Sequence, residues 1–549
     1  MADQSLSETL GSWWSELKRR RVVRVVVVYT IAGWLVIQVA STVLPTLNLP
    51  AWSITLVTVL VGLGFIIATV LAWAFDIGPG GLHRTAATAD VDAHPAPAPE
   101  SSPSPTVAVV SARAALPLSS DTRKSIAVLP FVNMSGDIEN EYFSDGISEE
   151  ILNLLVKLPA LKVASRTSSF LFKGKKASIP MVAQELGVST VLEGSIRRAG
   201  DRVRITAQLI DAASDSHLWS ETYDREMKDV FAIQDDIAQS ITRALELTLT
   251  PKERRSIQYV ATSNARAYDF YLRGRSFMYT MTRRDYQHAI GMFNQAIELD
   301  AKYALAYAGI ADAYSHLYRY ADASKENAEK ARQASEKAVE LDPDSAEARA
   351  SRGLSLFINE QYAAAEQEFL KAIELNPNLF EVYYYFGLAY SSQGEPAKAV
   401  EMYLKAMEVN PADYQSPVFL AQAYARLGRK HDEMKTRLAS LELVQRHLEM
   451  NPHDARALYL CANQLCNVGE LAKGVELAER ALSQVQNEPV VLYNVACFYA
   501  MQGDTERALE LLENAVNLGW GDRAWLETDS DLDSLRQIDR FKTLLAGMH

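Results

Sequence analysis

The sequence predicts a multidomain chain: a two-helix transmembrane hairpin, an α/β module with a mixed sheet, and an all-α solenoid of repeated helical hairpins. Three observations carry this. Two charge-free apolar runs, residues 25–44 and 51–75, lie near the amino end. Between residues 122 and 256, short apolar strands alternate with segments of helical period. From residue 264 onward, small and aromatic residues recur every ~34 positions. A chain of 549 residues is expected to hold several domains, because single cores stop growing near about 250–300 residues. The net charge of −13 argues against nucleic acid as a main partner, since phosphate binding needs a positive footprint. Three cysteines, Cys461, Cys466 and Cys497, form no disulfide framework and suit a reducing compartment.

Residues 1–24 form a basic amino-terminal segment, with Lys18, Arg19, Arg20, Arg21 and Arg24 ahead of the first apolar run. Each run meets the roughly 20 residues needed to cross a bilayer. Pro45 to Pro50 make a tight connection without Lys or Arg. The positive-inside rule then keeps the amino terminus inside. The expectation is a multi-pass protein of a bacterial inner membrane, touching lipid through residues 25–75, with its body in the cytoplasm. Residues 77–121, centred on HPAPAPESSPSP, read as an extended linker that cannot bury a core.

The module at 122–256 begins with SIAVLPF, a buried strand. A helix follows from about Phe143 to Leu158, with Ile147, Ile151, Leu154, Leu155 and Leu158 on one face. LKVASR gives a strand and IPMVAQEL a helix with Pro180 near its start. The Ala199-Gly200-Asp201 turn joins two alternating strands, HLWSETYDRE adds a third, and a helix from about Val230 to Leu249 leads out. The order β-α-β-α-β-β-β-α implies a mixed sheet covered by helices.

Four stretches here, VLPFVNMSGDIENEYFSDGISEEI, VASRTSSF, LGVSTVLEGSIRRAGDRVRITAQLID and LWSETYDRE, resemble the TolB amino-terminal-like module. That module precedes tetratricopeptide arrays in bacterial signalling proteins, often beside class III adenylate cyclase domains. ELKRR before the first apolar run and LAWAFDI at the end of the second are similar to the same group. The resemblance is specific for architecture and unspecific for activity. No segment is left over for a cyclase catalytic domain, and only some 20 polar residues precede the first run. Both departures favour a sensor or scaffold over an output enzyme or a transcription factor.

The repeat stands out best in FEVYYYFGLAYSSQGEPAKAVEMYLKAMEVNP, residues 380–411. Tyr383, Phe386, Gly387, Tyr390, Ala399, Tyr403, Ala406 and Pro411 fall at tetratricopeptide (TPR) spacing. Gly387 lets two helix backbones approach, Gly394 permits the turn, and Pro411 stops the second helix. Gly353, Ala365, Phe369, Ala372 and Pro377 mark the preceding unit at full period. The unit before that, from Tyr307 to Pro343, carries an eight-residue insertion between its helices. Another unit, from Ala421 to Pro452, has seven extra residues. About seven repeats span 264–520, and residues 521–549 close the array as a cap.

In such an array the first helices line a concave groove. Aligning their positions places Tyr271, Tyr384, Tyr459 and Tyr493 alike in four repeats, with Gln422, Asn463 and Asn494 nearby. Tyr and Asn suit an extended peptide, and the same tyrosines equally suit packing between neighbouring helices. No catalytic pattern accompanies them. SFLFKGKKAS has Ser169 where a phosphate loop has Gly, and no Ser or Thr follows Lys175. His217 and Glu221 lack a third ligand. The cysteines read as small buried residues, and Asp137, Glu139 and Glu141 as loop and helix-start carboxylates. The expectation is therefore a non-enzymatic scaffold or adaptor, without cofactor or metal, binding a protein or peptide in its groove. The alternative is a regulatory, ligand-binding component of adenylate-cyclase-type signalling, with a nucleotide as one candidate ligand.

Overall fold

A computed structural model describes residues 124–251, 253, 261–485, 487–521 and 523–548, with 75–78, 81–84 and the single positions 38, 59 and 61. The chain divides into two units, Met1–Ala115 and Leu116–His549. In the first unit, β1 (Phe75–Gly78) and β2 (Gly81–Arg84) pair antiparallel, Phe75 opposite Arg84.

The transmembrane expectation is corrected. A span needs about 20 apolar residues in one continuous helix that satisfies its own backbone. Among the described residues no helix is long and apolar enough to cross a membrane. Phe75, the last residue of the second apolar run, lies in a strand. The rest of runs 25–44 and 51–75 lies outside the described residues, apart from Gln38, Val59 and Val61. Among the described residues the fold class is a mixed-sheet module followed by an all-helical repeat region, with no transmembrane hairpin. The multi-pass inner-membrane placement and the bilayer contact therefore find no support among the described residues. Of the linker 77–121, the residues past Arg84 also lie outside the described residues.

The module's sheet runs β5-β3-β6-β7-β8, with β4 also on β6. Its strands are β3 (Lys124–Val128), β4 (Val132–Asn133), β5 (Leu161–Val163), β6 (Thr190–Ala199), β7 (Arg202–Asp211) and β8 (Ser216–Glu226). β3 lies parallel to both β5 and β6, and Ser125 to Val128 are all buried, as a parallel strand covered on two faces requires. β7 instead buries Val203, Ile205, Ala207 and Leu209 in alternation, because one face of this antiparallel part is open. Helices α1 (Glu141–Val156) and α4 (Val230–Ala244) cover that inner face with Ile147, Ile151, Leu155, Ile233, Ile237 and Ile241. The short α2 (Arg166–Phe170) follows β5, and α3 (Ile179–Leu186) packs Val182 and Ala183 on Ala127 and Val191 behind the sheet.

Seven helical hairpins follow among the described residues: α5 (Ala265–Met278) with α6 (Arg283–Leu299), α7 (Ala304–Tyr320) with α8 (Lys325–Leu341), α9 (Ala346–Ile358) with α10 (Tyr362–Leu375), α11 (Phe380–Ser392) with α12 (Pro396–Val409), α13 (Gln415–Arg426) with α14 (Lys430–Met450), α15 (Ala455–Asn467) with α16 (Leu471–Gln484), and α17 (Pro489–Gln502) with α18 (Thr505–Asn517). Within a hairpin the two helices nearly touch: a Cβ on Gly387 would stand 2.6 Å from the Tyr403 ring. The extra residues of the long repeats become added turns of helix. α7 and α8 have 17 residues each and α14 has 21, against 13 and 14 in α11 and α12. This differs from the expected insertion between helices, because helical residues extend a packed stripe while loop residues bury nothing. The cap consists of α19 (Arg523–Thr528), a 3-10 turn over Ser530–Leu535, and α20 (Asp539–Gly547). Its Leu526, Leu532, Leu535 and Phe541 cover the core of the last hairpins.

Candidate functional site

The module is docked on the array. Gly146 makes this possible, since a Cβ there would stand 2.8 Å from Leu272 of α5. The Tyr142 hydroxyl donates to Asp269 Oδ1 at 2.7 Å, and Arg198 Nη1 donates to the same oxygen at 2.5 Å. Burial, with the Asp269 charge beside it, pushes the Tyr142 phenol up to about 12. Glu149, 5% exposed, accepts from Arg166 Nε at 2.9 Å, Arg275 Nη2 at 2.5 Å and the Tyr279 hydroxyl at 2.5 Å. The Arg166 guanidinium lies 4.0 Å from the Phe170 ring centre and 3.5 Å from that of Tyr279. Burial pushes Glu149 up, but Arg275 and Arg166 outweigh it and hold the carboxyl below its usual value. At its neighbour Glu150, burial together with the Glu149 charge outweighs Arg275 and Lys157 and raises the carboxyl to about 7. Farther along, Asn378 Nδ2 donates to the Val156 carbonyl at 3.2 Å and the Ser165 hydroxyl donates to Asn410 Oδ1 at 2.5 Å. The module thus touches the first hairpin and the loops that precede α11 and α13.

On the inner face of the array the side chains converge on Arg456, at the start of α15. It donates to Gln415 Oε1 at 2.6 Å, to the Tyr384 hydroxyl at 3.1 Å and to the Tyr459 hydroxyl at 3.2 Å, and lies 5.1 Å from the Tyr320 ring centre. First helices of four hairpins, α7, α11, α13 and α15, therefore meet at one guanidinium. His316 extends the cluster: its ring centre is 5.6 Å from Tyr320 and 5.5 Å from Tyr286, and Nε2 is 3.3 Å from the Tyr385 hydroxyl. Burial, reinforced by Arg319 and Arg456, depresses His316 to about 3, so it is neutral. The array also closes on itself. Arg283 donates to the carbonyls of Ala321 and, at 2.6 Å, Leu518, and the Ala323 N–H donates to Gly519 at 3.2 Å. Near this junction a cleft of about 240 Å³ is lined by Ser324, Trp520 and Met548.

The expected groove residues are distributed unevenly over this face. Tyr384 and Tyr459 share Arg456. Asn463 Nδ2 donates to the Asn494 carbonyl at 3.3 Å, and Asn494 Nδ2 donates to the Val490 carbonyl at 2.7 Å. Tyr493 stacks on Trp520 with ring centres 4.4 Å apart and donates to Asp529 of the cap. Tyr271 is buried between Phe293 and Tyr303, at 5.8 and 5.1 Å. Gln422 is half-buried on α13. Arg456 itself was not read from the sequence, although it stands one turn before Tyr459 on the same face. Away from this face, Lys173 pairs with Asp145 at 2.5 Å and Glu141 at 3.0 Å, Asp137 accepts from the Glu139 N–H at 2.9 Å, and Glu221 accepts from Tyr223 at 3.0 Å. Cys461 is buried, which pushes its thiol up to about 12.

Comparison with known proteins agrees with the helical part. Tetratricopeptide repeat models match residues 324–379 and 368–401, so the chain contains TPR repeats. A model described as the second domain of HilA/YgeH-like transcriptional regulators matches residues 122–240, the segment where the TolB-like resemblance lies. A protein of Rhizobium meliloti (strain 1021) named "Putative adenylate cyclase 3" is 43% identical over 194 residues, which are 35% of this chain and 33% of that protein. The chain thus spans about a third of the length of this curated relative. Among solved structures, MamA is 24% identical, covering 32% of this chain and 96% of that one at a TM-score of 0.26. The human IFIT1 dimer with m7Gppp-AAAA is 16% identical, covering 57% and 72% at 0.38. These likenesses carry no inference about function.

Proposed function

We propose that the chain works by binding, as a signalling adaptor or scaffold that recruits a protein or peptide through its TPR array. The observation that carries this is the inner face, where polar and aromatic side chains from successive first helices converge instead of the small apolar residues found between helices. Gln422 and Asn494, half-buried on this face, supply hydrogen-bonding ends that suit a peptide backbone, while Tyr384 and Tyr459 are buried around Arg456. Nothing in this reading calls for catalysis, cofactor or metal. A photo-crosslinking residue at Gln422 in the cellular protein tests it. A discrete adduct with one protein, lost when Asn494 is replaced by Trp, supports the groove. Absence of any adduct at Gln422 and at Asn494 rejects it.

The identity to the cyclase-named relative supports a second reading, a regulatory component of cyclase-type signalling whose α/β module takes a small ligand such as a nucleotide. Calorimetry of the full chain with ATP and with cyclic AMP checks it, and no heat with either counts against it.

A further inference from the structure

Among the described residues, the inner face holds two cations without counter-ions. Among the described residues no carboxylate lies within ion-pair distance of Arg456, whose hydrogen bonds all go to neutral oxygens. Arg319, on the last turn of α7, makes only ring contacts, at 5.4 Å to Tyr320 and 5.3 Å to Phe357, and its Nη1 is shielded from solvent with no partner. Guanidinium is always charged, and a recessed charge without an opposite partner is unfavourable. Two further groups beside them are equally unsatisfied. The Tyr286 hydroxyl has no partner although the residue is 1% exposed, and His316 Nδ1 has none. Both are donors or donor-capable: His316 lies against Tyr320, and Tyr286 against His316. The local field is positive. Burial alone pushes the Tyr320 phenol up, yet Arg319 and Arg456 outweigh it and hold the phenol below its ordinary value.

The carboxylates around this cluster are engaged or subdued. Asp413 accepts the N–H groups of Gln415 and Ser416, Asp454 accepts from His447 at 2.7 Å, and Glu488 accepts from the Arg283 N–H at 3.3 Å. Asp312, one turn before His316 on α7, is raised by burial to about 7. From this juxtaposition we infer that the inner face contains a binding site for a small oxyanion, a free phosphate-type or carboxylate-type ligand, held by Arg456, Arg319, Tyr320 and the Tyr286 hydroxyl. Two guanidiniums present fork geometry to such a group. The Arg283 contacts that join the two ends of the array leave a small ligand as the occupant, in place of a threaded chain. Tyr320 and Tyr384 flank the site with aromatic faces and hydroxyls.

The site stands apart from partner recruitment: an anion binds here whether or not Gln422 crosslinks to a protein. The test is titration of the full chain with sodium phosphate, and separately with citrate, against sodium chloride at equal ionic strength, read by calorimetry and by Tm. One saturable site with a rise in Tm is expected for phosphate or citrate. R319Q removes a head group that makes no hydrogen bond, so the fold stays intact by circular dichroism while anion affinity falls about 10- to 100-fold. R456Q falls at least as far. Y286F deletes an unpartnered hydroxyl, so the ligand-free Tm is kept or raised while the affinity drops. Phosphate and citrate behaving like chloride overturns the site, and so does wild-type anion affinity in R319Q.

Discussion

Tyr403 and Tyr384 stand on the two helices of one hairpin and serve opposite purposes. Tyr403 fills the gap beside Gly387 and is wholly buried, its hydroxyl near Ser391 at 3.1 Å. Tyr384 turns inward and spends its hydroxyl on Arg456, a residue 72 positions away. The equivalent of the first arrangement recurs: Gly353 lies against Phe369, and Gly274 against Phe293, each with a would-be Cβ at 2.5 Å. The Arg456 cluster has no such copies. Hairpin cores are therefore local and repeated, whereas the inner face is assembled from distant repeats and is particular to this chain. Stability should follow the first region, and recognition the second.

The sharpest way to break this comparison is to truncate both tyrosines. Tyr403→Ala removes a large ring that nothing else can fill, and should cost about 3–5 kcal/mol. Tyr384→Phe removes one hydroxyl from a guanidinium that keeps Gln415 and Tyr459, and should cost about 1 kcal/mol or less. Urea unfolding followed by far-ultraviolet circular dichroism compares them. Equal midpoints would mean that the inner face holds the array together as firmly as the cores do.

What could be read from the sequence divides along the same line. Gly387, Tyr403 and Pro411 declare a hairpin because their effects act within about 30 residues of chain. The strands of the module were legible for a similar reason, through runs such as SIAVLPF and the Gly200 turn. Arg456 was not, because three of its partners, Tyr320, Tyr384 and Gln415, come from other repeats and no spacing rule connects them. Tyr493 occupies the groove position by alignment but stacks on Trp520 and donates to Asp529, since neither the end of the array nor the cap carries a repeat pattern to warn of it. The docking of module on array was hidden likewise: Glu149 and Arg275 are 126 residues apart. The apolar runs near the amino end met the length for a span, yet no described helix is long and apolar enough to cross a membrane, and Phe75, where the second run ends, is in a strand.

Between local cores and distant clusters lies the docking interface, where Glu149→Gln should have an intermediate effect. The substitution removes the charge shared by Arg166 and Arg275 but keeps the shape. Both arginines retain some water, at 23% and 30% side-chain exposure. The cost should therefore be about 2 kcal/mol, less than for a fully buried pair. Limited proteolysis between residues 245 and 264 reads it out, because loosening the interface should speed cleavage there without melting the hairpins. An unchanged cleavage rate would show that the apolar contact of Gly146 with Leu272 suffices.

The smallest effect concerns Glu150, and its sign separates it from Glu149. Glu149 is held below its usual value, so its contribution is present above its unfolded pKa and is lost as the medium acidifies through the folded one. Glu150 is raised from 4.5 to about 7 by burial and by Glu149. The folded chain therefore binds that proton more tightly than the unfolded chain, and stability falls as pH rises from 4.5 towards 7. Asp312 and Asp531, raised to about 7 chiefly by burial, act in the same direction. Between pH 5 and 8 the described body should lose about 1 kcal/mol per such carboxyl after allowance for partial solvation. Glu150→Gln should flatten the decline in Tm by about a third without abolishing it. If the interface and the inner face are separate regions, Asp312→Asn must flatten it further by an independent amount. Non-additivity of the two substitutions would instead join them into one electrostatic unit running from the module through the array.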